Sequence, residues 1–161
     1  MNTFTVSFFG HRQISKPLLV EERLEKIISE TIRTKEYVEF LVGRDGEFDI
    51  MAASVVRRTV KKLNYGNSAL ILVLPYMTAE YRNNRQSFSE YYDEVEVCAE
   101  ASKAHFKAAI GIRNKSMVDR SDLVVCCVEH NSGGAHHTGR YAKQQQKQIV
   151  NIADRTVPID I

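Results

Sequence analysis

Residues 69–76, ALILVLPY, decide the fold. The run carries no charge and shows no alternation of apolar and polar positions. A strand with one wet face alternates, whereas a strand buried on both faces reads as a continuous apolar run. Residues 122–128, DLVVCCV, repeat the pattern and break at HNSGG. Upstream, residues 3–9 (TFTVSFF) form a β-branched and aromatic strand ending at Gly10, and residues 37–42 (YVEFLV) form another, stopped by Gly43. Residues 94–98 (EVEVC) predict a short strand and residues 148–152 (QIVNI) a last one.

Helical patterns fill the intervals. Residues 17–33 open with Ser15 and Pro17, and Val20, Leu24, Ile27 and Ile28 recur at helical spacing. In residues 48–63, Met51, Ala52, Val55, Val56, Thr59, Val60 and Leu63 make one stripe, with Arg57, Arg58, Lys61 and Lys62 on or beside the opposite face. Residues 104–119 and 135–146 complete the set. Strands that alternate with helices imply an α/β, Rossmann-like open sheet, mainly parallel, with helices on both faces. Residues 77–92 (MTAEYRNNRQSFSEYY) make a connection long enough to be a lid. With no internal repeat and no low-complexity linker, residues 1–161 read as a single domain.

The chain has 161 residues, 43% hydrophobic and 26% charged, which are globular proportions. Its net charge of +2 argues against a strongly electrostatic nucleic-acid binder, although a local basic patch stays open. Three cysteines (Cys98, Cys126, Cys127) are too few and too uneven for a disulfide framework, so a cytoplasmic setting is expected. No apolar run approaches the ~18 residues of a membrane span, so no membrane partner is expected. The opening MNTFTVSFFGHR lacks the marks of a signal peptide and reads as the first strand.

In open parallel sheets, ligands bind beyond the carboxyl ends of the strands. Three predicted strand ends carry glycine with polar or basic neighbours: Gly10-His11-Arg12, Gly43-Arg44-Asp45-Gly46, and Asn131-Ser132-Gly133-Gly134. Glycine admits an anion close to backbone N–H groups, and a following helix N-terminus adds partial positive charge. Asp49 is either a carboxylate facing the ligand or a helix cap. His11 either meets the ligand or bonds nearby backbone. Asp45, Glu47 and Asp49 alternate, but Ile50 and Val56 stand where a calcium loop needs glycine and glutamate. Cys126 and Cys127 are adjacent on a strand and point to opposite faces, so no metal is expected. The basic cluster at 57–62 reads as a solvated helix face, with nucleic-acid binding as the alternative. Tyr76, Tyr81, Arg82, Arg85, Tyr91 and Tyr92 mix aromatic and basic groups suited to stacking on a base or clamping phosphate, or else belong to a surface loop whose tyrosines pack on the domain.

FFGHR, VGRDGEFDIMA and IRNKSMVDRSDLVVCCVEHNSGGAHHTGRYAKQQQKQIVNI together resemble the SLOG superfamily, named for Smf/DprA and the lonely-guy proteins, and within it the YpsA-like branch. The likeness keeps motif order over nearly the whole chain. It implies a Rossmann-like fold that binds nucleotides or molecules derived from them, and a homo-oligomer, dimeric or higher. Arg113 resembles the lonely-guy family's substrate-side arginine. That family's later motif departs here: Ser132 replaces its proline, His136 its third glycine, and Arg140 its catalytic glutamate. An arginine stays protonated and cannot act as that carboxylate.

The expected function is therefore a binding module for a nucleotide derivative, including one related to NAD or ADP-ribose, which senses or sequesters its ligand without turnover and requires no cofactor. The expected site is Gly10, His11, Arg12, Gly43, Asp49, Arg113, Asn114, Ser132, Gly133 and Gly134, with Arg12 and Arg113 on phosphate or ribose. The alternatives are a hydrolase using Asp49, Glu129 or Glu94, and single-stranded DNA binding of the kind found in the DprA branch.

Overall fold

The computed structural model describes residues 1–154 and 158–161. Strand β1 (Thr3–Gly10) leads into helix α1 (Pro17–Thr34), strand β2 (Tyr37–Val42), helix α2 (Glu47–Leu63) and strand β3 (Ser68–Leu74). Short helices α3 (Ala79–Asn83) and α4 (Arg85–Tyr91) precede strand β4 (Glu94–Val97) and the single turn α5 (Ala99–Ser102). Helix α6 (Phe106–Asp119), strand β5 (Leu123–Cys127), helix α7 (Gly134–Gln144) and strand β6 (Gln148–Asn151) follow. The strands form one sheet in the order β4-β3-β2-β1-β5-β6, and every neighbouring pair is parallel.

The two faces of the sheet carry separate cores. Val6, Phe8, Phe40, Leu70, Leu72 and Cys127 pack under α1, α2 and α4. Leu41, Ile71, Val73, Val124 and Cys126 pack under α6 and α7. Strand periodicity sends Cys126 and Cys127 to opposite layers, and burial pushes the Cys127 thiol up to about 12.

The stretch 77–92 is not a lid. Thr78 caps α3 by accepting the Tyr81 N–H at 3.1 Å, and α4 buries Phe88, with Tyr92 just beyond it, in the core beneath α2. Arg44 fastens the pair from the β2 turn, donating to Glu80 at 2.7 Å and to the Tyr92 hydroxyl at 2.9 Å, with its guanidinium 4.7 Å from the Phe88 ring centroid. The apolar positions are few and scattered among polar ones, so the sequence reads as a loop until tertiary contacts order it.

The strand order reverses between β1 and β5. β1 passes to β2 on one side of the sheet, while β5 lies on the other. β1 and β5 stay paired to their last residues, Gly10 and Cys127, and the chain then leaves them for helices on opposite faces, α1 and α7. Open α/β sheets bind ligands in the crevice so formed.

Candidate functional site

A cavity of about 340 Å³ lies at the switch point. It is lined by Gly10, His11 and Arg12 after β1, by Gly43, Asp45, Gly46 and Asp49 between β2 and α2, by Ile110, Arg113 and Asn114 of α6, and by Gly133 and Gly134 at the start of α7. Nine of the ten residues named from sequence line it. Ser132 does not; it is exposed, with its hydroxyl 3.1 Å from His130 Nδ1.

The loop after β1 is bound on both sides. The Glu47 N–H donates to the Arg12 carbonyl, and the Ile14 N–H to Glu47 Oε2, both at 2.9 Å. Toward β5, Glu129 Oε1 accepts from the Ser15 N–H at 3.0 Å and the Ser15 hydroxyl at 2.8 Å. The Glu129 N–H donates to His11 Nε2 at 3.0 Å, which requires that nitrogen to be unprotonated. Burial, then the neighbouring His130, hold the His11 pKa below the ordinary histidine range. The His11 and His130 rings stack with centroids 3.8 Å apart. His11 therefore has the backbone bond of its plainer reading and also forms part of the cavity wall.

Arg113 differs from the expected phosphate clasp. Its guanidinium is almost fully buried and donates to Asp45 Oδ2 at 2.6 Å, to the Val73 carbonyl at 3.1 Å, and twice to Asn114 Oδ1 at 3.1 and 2.9 Å. Asn114 passes the link on, donating to the Thr138 hydroxyl of α7 at 3.2 Å. Arg113 thus ties β3, α6 and the β2 turn together and holds Asp45 at the cavity. Gly43 makes room for this: a Cβ there would stand 2.9 Å from both Arg113 Nη1 and Asp49 Oδ2.

Asp49 is buried in the first turn of α2 and accepts the Asp45 N–H at 2.9 Å. Burial raises its pKa to about 6, against the opposing pull of the Asp45 N–H and Arg113. Gly46, not Asp49, is the cap of α2; the Asp49 side chain instead holds the Asp45 N–H of the β2 turn and lines the cavity. The other nominated carboxylates lie elsewhere. Glu129 is engaged with Ser15, and Glu94 starts β4 at the amino edge of the sheet. Asp45, absent from the site expected from sequence, is the exposed carboxylate of the cavity.

The two cations left for an anion are unequal. Arg12 is exposed on the rim, and no hydrogen bond or ion pair of its side chain occurs among the described residues. Arg140 points away: it pairs with Asp160 at 2.9 Å and is absent from the cavity wall. The start of α7 supplies the rest. Gly133 holds φ at +90°, a conformation that favours glycine. No side chain caps the helix and its first turn has no acidic residue, so its opening N–H groups and dipole face the cavity uncompensated.

No known protein family and no curated protein matches the chain. Solved structures do. The chain shares the fold of a part of DNA processing protein A. The Helicobacter pylori protein, described for its single-stranded DNA binding mode, aligns over 91% of this chain with a TM-score of 0.63 and 16% identity. The Streptococcus pneumoniae protein aligns over 91% with a TM-score of 0.62 and 15% identity. The chain spans 63% of the first and 49% of the second. At these identities the likeness is one of fold. Among the described residues no helix is long and apolar enough to cross a membrane.

The basic cluster on α2 is partly neutralised. Arg58 pairs with Glu21 at 2.7 Å and with Glu25 at 3.5 Å, and Lys62 with Glu25 at 3.6 Å. Arg57 lies over the Tyr91 ring, 4.2 Å from its centroid.

Proposed function

We propose that the cavity binds a nucleotide-derived small molecule, including one related to NAD or ADP-ribose, and retains it without turnover, as a sensing or sequestering module of the YpsA-like kind. The observation that carries this reading is the uncapped, acid-free start of α7 opening into a cavity at the switch point, with Arg12 free beside it. A phosphate there would accept from the first N–H groups of α7 and from the Arg12 guanidinium. The Asp45 carboxylate, fixed by Arg113, faces the same space and would accept ribose hydroxyls. Retention without cleavage is supported at the position that the resemblance aligns with the lonely-guy glutamate: it holds Arg140, turned onto Asp160 and away from the cavity wall, so no carboxylate reaches the ligand from there. The homo-oligomer implied by the resemblance belongs to the same proposal.

The test is mass spectrometry of what co-purifies with the protein, followed by calorimetry with AMP and ADP-ribose. Arg12→Ala should weaken binding about tenfold and leave stability within about 0.5 kcal/mol. Unaltered affinity in that variant, or no binding by the parent, overturns the reading.

One comparison favours a second reading. A neighbour in fold binds single-stranded DNA, and Arg57 over Tyr91 beside Lys61 offers cation and ring together. This reading predicts affinity that falls steeply with salt and is lost in Arg57→Ala with Lys61→Ala, whereas the cavity reading predicts no effect of that pair on AMP binding.

A further inference from the structure

Phe106 has no role in the core. It opens α6 and is 61% exposed, unusual for so large an apolar side chain. Helical spacing places it on the face of α6 that meets the cavity. Ile110, Arg113 and Asn114 line that cavity, and Phe106 is one turn before Ile110. Helix side chains lean toward the N-terminus, so this face runs from Arg113 through Ile110 to Phe106, which stands one turn beyond the cavity wall. The ring is also steadied. His105 caps α6, its Nδ1 accepting the Lys107 N–H at 3.3 Å, and its imidazole stacks on Phe106 with centroids 4.9 Å apart and planes 28° apart.

We infer that Phe106 is the stacking platform for an aromatic base, so that the ligand is a nucleotide whose sugar phosphate fills the cavity and whose base lies against Phe106 beyond the cavity wall. The inference rests on the cavity reading above and adds the base as a recognised group. At about 340 Å³ the cavity lies at the small end of ligand pockets, which run from ~300 to ~1,000 Å³. The phosphate end is fixed at α7, and its polar lining (Arg12, Asp45, Asp49) suits a sugar phosphate better than a flat apolar ring. A base beyond the ribose would leave the polar interior and meet apolar surface, which at this edge is Ile110 followed by Phe106. Base–aromatic stacking tolerates any base because every base presents a π-face.

The experiment compares AMP with ribose 5-phosphate by calorimetry, on the parent protein and on Phe106→Ala. AMP should bind the parent more tightly. Phe106→Ala should weaken AMP by about tenfold to a hundredfold and leave ribose 5-phosphate unchanged. The protein has no tryptophan, so Phe106→Trp installs a single reporter. Its emission should be quenched by AMP, untouched by ribose 5-phosphate, and accompanied by near-parental AMP affinity. Equal affinity of the parent for the two ligands overturns the inference while leaving the cavity reading in place. Binding of neither overturns both. Unchanged AMP affinity in Phe106→Ala with a fall in mass by light scattering assigns the ring to contact between copies and likewise overturns it.

Discussion

Helices α2 and α7 both begin at the carboxyl edge of the sheet and both open into one cavity, yet their first turns are opposites. α2 starts with Glu47 and Asp49, whose carboxylates accept the Ile14 and Asp45 N–H groups. α7 starts with Gly134 and Ala135, has no acid in its first turn and no capping side chain. A helix dipole favours negative charge at its N-terminus. At α2 the protein supplies that charge itself, and the result is a rigid turn that positions Asp45. At α7 the charge is left to come from outside. Glycine turns of similar appearance thus divide into one that builds the wall and one that, on the proposed reading, receives the ligand.

The largest expected effect breaks the wall. Arg113→Ala removes the partner of Asp45 and leaves the Val73 carbonyl and Asn114 Oδ1 without their donor. Removing one member of a buried pair costs about 3–5 kcal/mol, and because Asp45 is partly exposed the lower end applies. Urea denaturation should show this loss. A stability change below about 1 kcal/mol would mean that Arg113 is not a structural tie and would restore it as a free phosphate ligand.

The second effect reads the charge stored in α2. The Asp49 pKa stands at about 6 in the folded protein, against roughly 3.9 in an unfolded chain. Between those values the folded state holds a proton that the unfolded state has released, so stability falls as pH rises from about 4 to about 6 and is level above. The drop is on the order of 3 kcal/mol. His11 contributes with the opposite sign: its lowered pKa makes stability fall as pH drops below its unfolded value. Asp49→Asn keeps an oxygen for the Asp45 N–H and removes the titration. The difference in urea midpoint between variant and parent should therefore widen in the variant's favour from pH 4 to pH 7. A constant difference would place Asp49 in contact with water.

These two effects mark where sequence reasoning stops. Strands and glycine turns are legible because burial on both faces and the turn residues are written locally: ALILVLPY contains its own reading. The gathering of Gly10, Gly43 and Gly133 at one edge follows from parallel order alone. The partner of Arg113 does not, since Asp45 lies 68 residues away and the bond exists only once α6 crosses the β2 turn. Stretch 77–92 is opaque for the same reason. Phe88 and Tyr92 become core only against α2, and no period in the segment announces it. Phe106 looks from sequence like any helix-face residue. Its exposure on the helix face that leads to the cavity is a property of the assembled fold.

The third effect converts one helix start into the other. Gly134→Asp places a carboxylate in the first turn of α7, where it should stabilise the helix by about 0.3–1 kcal/mol. The same charge occupies the proposed anion position, so binding of AMP should weaken at least about tenfold. Opposite signs in stability and affinity are the signature. If both fall together, the turn is merely strained, and the contrast between α2 and α7 loses its meaning.

The smallest effect concerns Arg140, which stands where the resemblance places a catalytic glutamate. Arg140 lies on α7 beyond the open first turn, and its guanidinium is half exposed against Asp160. Exposed pairs of this kind contribute about 0.2–1 kcal/mol. Arg140→Glu replaces the attraction with repulsion from Asp160 and should lower stability by an amount in that range. The change restores the residue type of the lonely-guy motif but not its surroundings, because position 140 is absent from the cavity wall. A carboxylate can stabilise a developing oxocarbenium charge only where it faces the glycosidic carbon. Chromatography of nucleoside monophosphates incubated with Arg140→Glu should therefore show no free base. Base release that scales with the variant, and is absent from the parent, would place residue 140 at the ligand after all, and α7 would then face the cavity along its second turn as well as its first.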